Sequence, residues 1–75
     1  MKTVRDIYVD VLAMKRRAVP QYEIRKRIVD LGHDNGFSQI EERGETNHVA
    51  FKFHTGEVIS FDGNDWYHEH LVRQG

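Results

Sequence analysis

Val49-Ala50-Phe51-Lys52-Phe53-His54-Thr55-Gly56-Glu57-Val58-Ile59-Ser60-Phe61 is the stretch that decides the fold. Val49, Phe51 and Phe53 alternate with Ala50, Lys52 and His54, so three large apolar side chains share one face of a half-buried strand. His54-Thr55-Gly56-Glu57 reads as a hairpin turn, and Val58-Ile59-Ser60-Phe61 as the returning strand. A period of two begins at Phe37, where Phe37-Ser38-Gln39-Ile40 starts a short first strand. The polar stretch from Glu42 to Asn47 is expected to be a turn.

Upstream the period is that of a helix. Val4, Ile7, Tyr8, Val11 and Leu12 recur on one face, and Thr3 with Asp6 forms a capping-box pattern. Lys15, Arg16 and Arg17 suit the last turn. Pro20 breaks the run and opens a second helix, whose stripe is Ile24, Ile28 and Leu31, with Tyr22 and Val29 beside it. Gly32 is the expected stop, followed by a loop at His33-Asp34-Asn35-Gly36. Downstream, Asp62-Gly63-Asn64 ends the third strand. Asp65 is placed to cap a short last helix carrying Trp66, Tyr67, His70 and Leu71. The expected architecture is α+β, one domain over residues 1–75. Two N-terminal helices pack on a three-stranded antiparallel meander, with a short C-terminal helix.

Length and composition narrow the classes. A 75-residue chain has a core worth about 3–5 kcal/mol. It has no cysteine, which removes disulfides and thiolate metal sites and fits a reducing compartment. Arg5, Asp6 and Asp10 interrupt any leader-like apolar core. No apolar run approaches the ~20 residues of a membrane span. The expectation is a soluble cytoplasmic protein without a membrane partner, for which a homodimer is one route to added stability.

Charge divides the chain. Residues 1–33 hold eight Lys or Arg against four acids, a net of +4, while residues 34–75 hold three against eight, a net of −5. Six of the early bases form two triplets, Lys15-Arg16-Arg17 and Arg25-Lys26-Arg27. They flank one inter-helix corner and form a candidate surface for RNA or another polyanion. An acidic protein partner, or the acidic half of a second copy, fits the same surface. A merely solvated helix face, with Glu23 and Arg27 paired at i,i+4, also accounts for it. Two helices before a hairpin also match a winged helix-turn-helix, with Gln21, Arg25, Lys26 and Arg27 as readers. The missing third helix and the acidic wing count against that.

The remaining candidates are aromatic rings and histidines. Phe51, Phe53, Phe61, Trp66 and Tyr67 are either core or an RNA-stacking surface. Trp66 and Tyr67 are adjacent, so at least one reaches the surface and is a candidate protein-binding anchor. His68-Glu69-His70 has i,i+2 spacing, which splits the rings across a helix. His48 and His54 stand about six residues apart at ~3.3 Å each, too far for one ion. No metal or cofactor is expected.

Gly36-Phe37, Arg43-Gly44, Asn47-His48-Val49-Ala50-Phe51-Lys52 and Thr55-Gly56-Glu57-Val58-Ile59 together resemble the HicA-type mRNA interferase toxins. The resemblance covers roughly residues 20–62, with Thr46-Asn47-His48 standing where the family has Gly-Ser-His. It implies a small double-stranded-RNA-binding-like α-β-β-β-α domain in which His48 is the catalytic position for RNA cleavage. A histidine can serve as acid or base near neutral pH, and Arg43 and Lys52 are the nearby bases for a phosphate. Otherwise His48 is a solvent-facing strand residue. The leading expectation is a small regulatory binding protein that contacts RNA or another polyanion through its basic helices. An interaction or inhibitor protein of bacterial or phage type and a HicA-like ribonuclease are the alternatives.

Overall fold

The computed structural model describes residues 1–45 and 47–70. Helix α1 spans Val4–Arg16 and α2 spans Gln21–Asp34. Four strands follow: β1 (Ile40–Glu45), β2 (His48–Phe53), β3 (Glu57–Phe61) and β4 (Trp66–His70). They form one antiparallel sheet in the order β1-β2-β3-β4. The protein is therefore α+β, with two helices laid on one face of a four-stranded meander.

Each helix has a local cause. Thr3 Oγ1 accepts the Asp6 N–H at 3.2 Å, and the Asp6 carboxylate accepts the Thr3 N–H at 2.9 Å, completing the capping box. The Pro20 carbonyl accepts the N–H groups of Glu23 and Ile24, so Pro20 caps α2 without needing its missing donor. Helix α2 does not stop at Gly32. The Phe37 N–H reaches the Gly32 carbonyl at 2.9 Å and the Gly36 N–H reaches His33 at 3.2 Å. That is a Schellman closure, with Gly36 as the left-handed residue at φ +87°. Gly32 serves a different need. A Cβ there would lie 2.1 Å from Ile40 Cδ1, so its lack of a side chain lets α2 lie close against β1. Helix α1 ends in the same hydrogen-bond pattern, from Val19 to Met14 and from Ala18 to Lys15. There the left-handed position is an alanine, Ala18, at φ 59°.

The sheet explains the core. Val49, Phe51 and Phe53 of β2 are buried beside Ile59 of β3 and Trp66 of β4. Ile7 and Val11 of α1 and Ile24 and Ile28 of α2 close over them. Phe51 and Ile28 are both fully buried. Helix α1 covers β3 and β4. Its Tyr8 hydroxyl donates to the Trp66 carbonyl at 2.9 Å. The opposite sheet face is open, carrying His48, Lys52 and Tyr67 among its exposed residues.

Two expectations are corrected. The C-terminal helix is strand β4, paired with β3 from Phe61↔Trp66 to Glu57↔His70. Asp65 is not a helix cap. The Asp62 carboxylate accepts the N–H groups of Asn64 at 2.9 Å and Asp65 at 3.0 Å. This Asx-type turn is built from the same residue types that cap helices. Trp66 then points into the core, and Tyr67 away from it. The expected position of Leu71 lies outside the described residues. The second correction concerns β1, which runs through the stretch expected to be a turn. Phe37 instead plugs the end of α2, packed edge-on to Phe53 with ring centroids 5.1 Å apart.

Candidate nucleic-acid interface

The two basic triplets meet different fates. Lys15 forms an ion pair with Asp65 and donates to the Asn64 carbonyl at 3.0 Å, tying the end of α1 to the β3–β4 turn. Arg25 directs Nε and Nη2 at Glu42 Oε2, at 3.1 and 2.7 Å, tying α2 to β1. One pair joins a helix base to a strand acid and the other to an acid of the β3–β4 turn, so part of the charge division serves to hold the layers together. Arg16, Arg17, Lys26 and Arg27 are exposed. Among the described residues none of these four has an ion-pair partner, and Glu23 does not pair with Arg27.

The four free cations fall on the two helices on either side of the Ala18–Pro20 turn. Arg16 and Arg17 close α1, and Ala18 turns the chain. Lys26 and Arg27 stand about 8–9 Å along α2 from its first residue, at 1.5 Å per residue. Tyr22, in the first turn of α2, is 70% exposed. Its place beside the apolar stripe is corrected here. Two residues before Ile24 is about 200° around the helix, so the wheel already places it opposite the core. Tyr22, Arg25, Lys26, Val29, Asp30 and Glu42 line an open groove of about 390 Å³ between α2 and the edge strand β1.

His48 lies on the open sheet face at the start of β2, across from Glu45. Its imidazole accepts or donates no hydrogen bond among the described residues. Arg43 is held by Glu41, with Nε to Oε1 at 2.5 Å. Lys52, four residues farther along β2, is about 13 Å away at ~3.3 Å per residue. Glu45 is thus the acid nearest His48 in the ladder, and among the described residues no hydrogen bond or ion pair joins the two side chains. Among the described residues no group of three His, Asp or Glu side chains converges on one point.

The aromatic pair separates. Trp66 is 3% exposed and stacks in the core beside Phe51 and Phe61, so it is not available as a surface anchor. Tyr67 is 43% exposed. The Asp62 carboxylate beside its hydroxyl raises the Tyr67 pKa above the ordinary phenol value. Asp62 is held below the usual carboxylate range, first by the N–H of Asp65 and then by that of Asn64.

Among the described residues no helix is long and apolar enough to cross a membrane. Comparison with family models, characterised proteins and solved structures finds no match to this chain.

Proposed function

We propose that this protein is a small regulatory RNA-binding module that grips phosphates with the corner of its helical hairpin. The observation that carries the reading is the contrast within each triplet. Lys15 and Arg25 are committed to the sheet, whereas Arg16, Arg17, Lys26 and Arg27 are left to solvent. Lone cations on a rigid corner neutralise phosphates without breaking any internal pair. Exposed Tyr22 adds a flat apolar surface beside them.

The test is fluorescence anisotropy with labelled RNA over rising salt. Four phosphate contacts predict a slope of log K against log salt of roughly −3. Reversing Arg16, Arg17, Lys26 and Arg27 to Glu should abolish binding and leave the fold intact, because all four side chains are exposed. Affinity that ignores salt, or survives the reversal, contradicts the reading.

The ribonuclease alternative rests on the resemblance alone. His48 has no partner among the described residues, so wild type and His48→Ala should bind RNA equally and leave it uncut.

A further inference from the structure

The groove between α2 and β1 adjoins the cationic corner and has a lining of unusual mix. It brings together an aromatic ring (Tyr22), an aliphatic side chain (Val29), a fixed guanidinium (Arg25), an ammonium (Lys26) and two carboxylates (Asp30, Glu42). We infer that this groove seats one unpaired base of a single-stranded RNA, and that it prefers guanine. The inference rests on the RNA-binding reading and assigns it a ligand class.

Three observations point this way. Tyr22 is 70% exposed, the most exposed aromatic ring among the described residues. A duplex hides the faces of its bases, so such a ring adds little to duplex binding, while a splayed base can stack on it. Arg25 is held in place by Glu42 at 2.7 Å, which fixes its guanidinium plane as a second flat surface. At about 390 Å³ the groove lies near the lower end of the range of small-ligand sites, which is ~300–1,000 Å³.

The carboxylates decide the base. Asp30 is exposed and has no ion pair among the described residues, although Lys26 stands one turn before it. On a surface meant only for phosphates, a free carboxylate repels the ligand. It becomes useful where it accepts N–H groups from a base edge. Guanine offers two parallel donors, N1–H and N2–H, that match the two oxygens of one carboxylate. Its O6 beside them is an acceptor for the Lys26 ammonium. Uracil offers one N–H between two carbonyls and suits a carboxylate poorly.

Anisotropy at constant salt tests this with three probes. They are a labelled oligo(U) of about ten nucleotides, the same strand with one central guanine, and a duplex of equal length. The guanine strand should bind about tenfold more tightly than oligo(U). Tyr22→Ala should weaken single-strand binding by about tenfold or more and leave duplex binding unchanged. Asp30→Asn should remove the guanine preference without weakening oligo(U) binding. Both residues are exposed, and an unchanged melting temperature verifies the fold of each variant. Single-strand affinity unaffected by Tyr22→Ala would overturn the inference and leave the groove to a protein partner's side chain. If charge reversal at Arg16, Arg17 and Arg27, none of which lines the groove, still abolished binding, the phosphate-gripping reading would stand without the groove. Asp30→Asn retaining full guanine preference would overturn the choice of base. A wild type that binds none of the three probes at low salt would overturn both readings.

Discussion

His68 Nε2 lies 2.8 Å from Glu57 Oε2 on the face of the β3–β4 ribbon that the helices cover. The His68 ring also stacks on Tyr8, with centroids 5.6 Å apart. The two side chains are only 19% and 18% exposed, so each is the other's main polar partner at the edge of the core. Tyr8 in turn donates to the Trp66 backbone. Helix α1 is thus joined to the last strand by a polar chain as well as by apolar packing.

Breaking that chain should cost stability. Glu57→Ala leaves a half-buried imidazole nitrogen without its partner, a loss of about 1–3 kcal/mol. For a domain of this size that lowers the melting temperature by roughly 4–8 °C per kcal/mol. Glu57→Gln keeps a hydrogen-bonding oxygen and should lose less. Thermal melts followed by circular dichroism order the two variants, and equal melting temperatures in wild type and Glu57→Ala would refute the role.

Ala18 should be improvable. Its φ of 59° places a Cβ in the left-handed region, which costs an L-residue about 1–2 kcal/mol. Glycine escapes that cost but gives back part of it through greater freedom when unfolded. Ala18→Gly should therefore raise stability by about 0.5–1 kcal/mol. A urea midpoint that moves upward at unchanged slope is the expected result, and a downward shift is the contrary one.

Acid should loosen two turns first. The backbone N–H of Thr3 holds the Asp6 carboxyl below its ordinary value, and those of Asp65 and Asn64 do the same for Asp62. With folded pKa values lower than unfolded ones, the unfolded chain binds more protons in acid. The stabilisation is complete above the unfolded value of about 3.9 and fades as pH falls through the folded values. Melting temperature should therefore drop below about pH 4. The double variant Asp6→Asn, Asp62→Asn should show a shallower acid limb than wild type. An identical limb would place the acid sensitivity elsewhere.

The two members of each triplet class should part company under mutation. Lys15→Gln and Arg25→Gln remove exposed ion pairs, each worth about 0–1 kcal/mol. They should lower the melting temperature slightly. Arg16→Gln and Arg27→Gln remove no pair and should leave it unchanged, while reducing the salt slope of RNA binding by about 0.7–0.9 each. Parallel melts and anisotropy curves separate these effects. Loss of stability in the Arg16 or Arg27 variant would mean that those side chains are structural.

The β2–β3 hairpin was legible in the sequence because one of its faces is buried. Val49, Phe51 and Phe53 must alternate with polar residues wherever water touches the other side. Strand β1 gave no such signal, since Glu41, Glu42, Arg43, Gly44 and Glu45 are all exposed at the sheet edge. Charges are how edge strands avoid pairing with other chains, so an edge of this kind reads as a loop. Strand β4 was masked by Asp65, because caps and Asx turns draw on the same side chains. For the site, the bases were visible but their partners were not. Lys15 and Asp65 are 50 residues apart, and only the folded sheet brings them together. Tyr22 was within reach of a helical wheel.

The way α1 is covered also sets an order of events during synthesis. Sheet strands pair in the sequence in which they are made, β1 with β2, β2 with β3, β3 with β4. Helix α1 rests instead on β3 and β4, and Tyr8 finds its partner 58 residues later, at Trp66. On a translating ribosome α1 can pack on α2 as soon as both are made, but its contacts with β3 and β4 must wait until the fourth strand has left the exit tunnel. The hairpins can form earlier, but the buried core closes only when helix α1 and strand β4 meet.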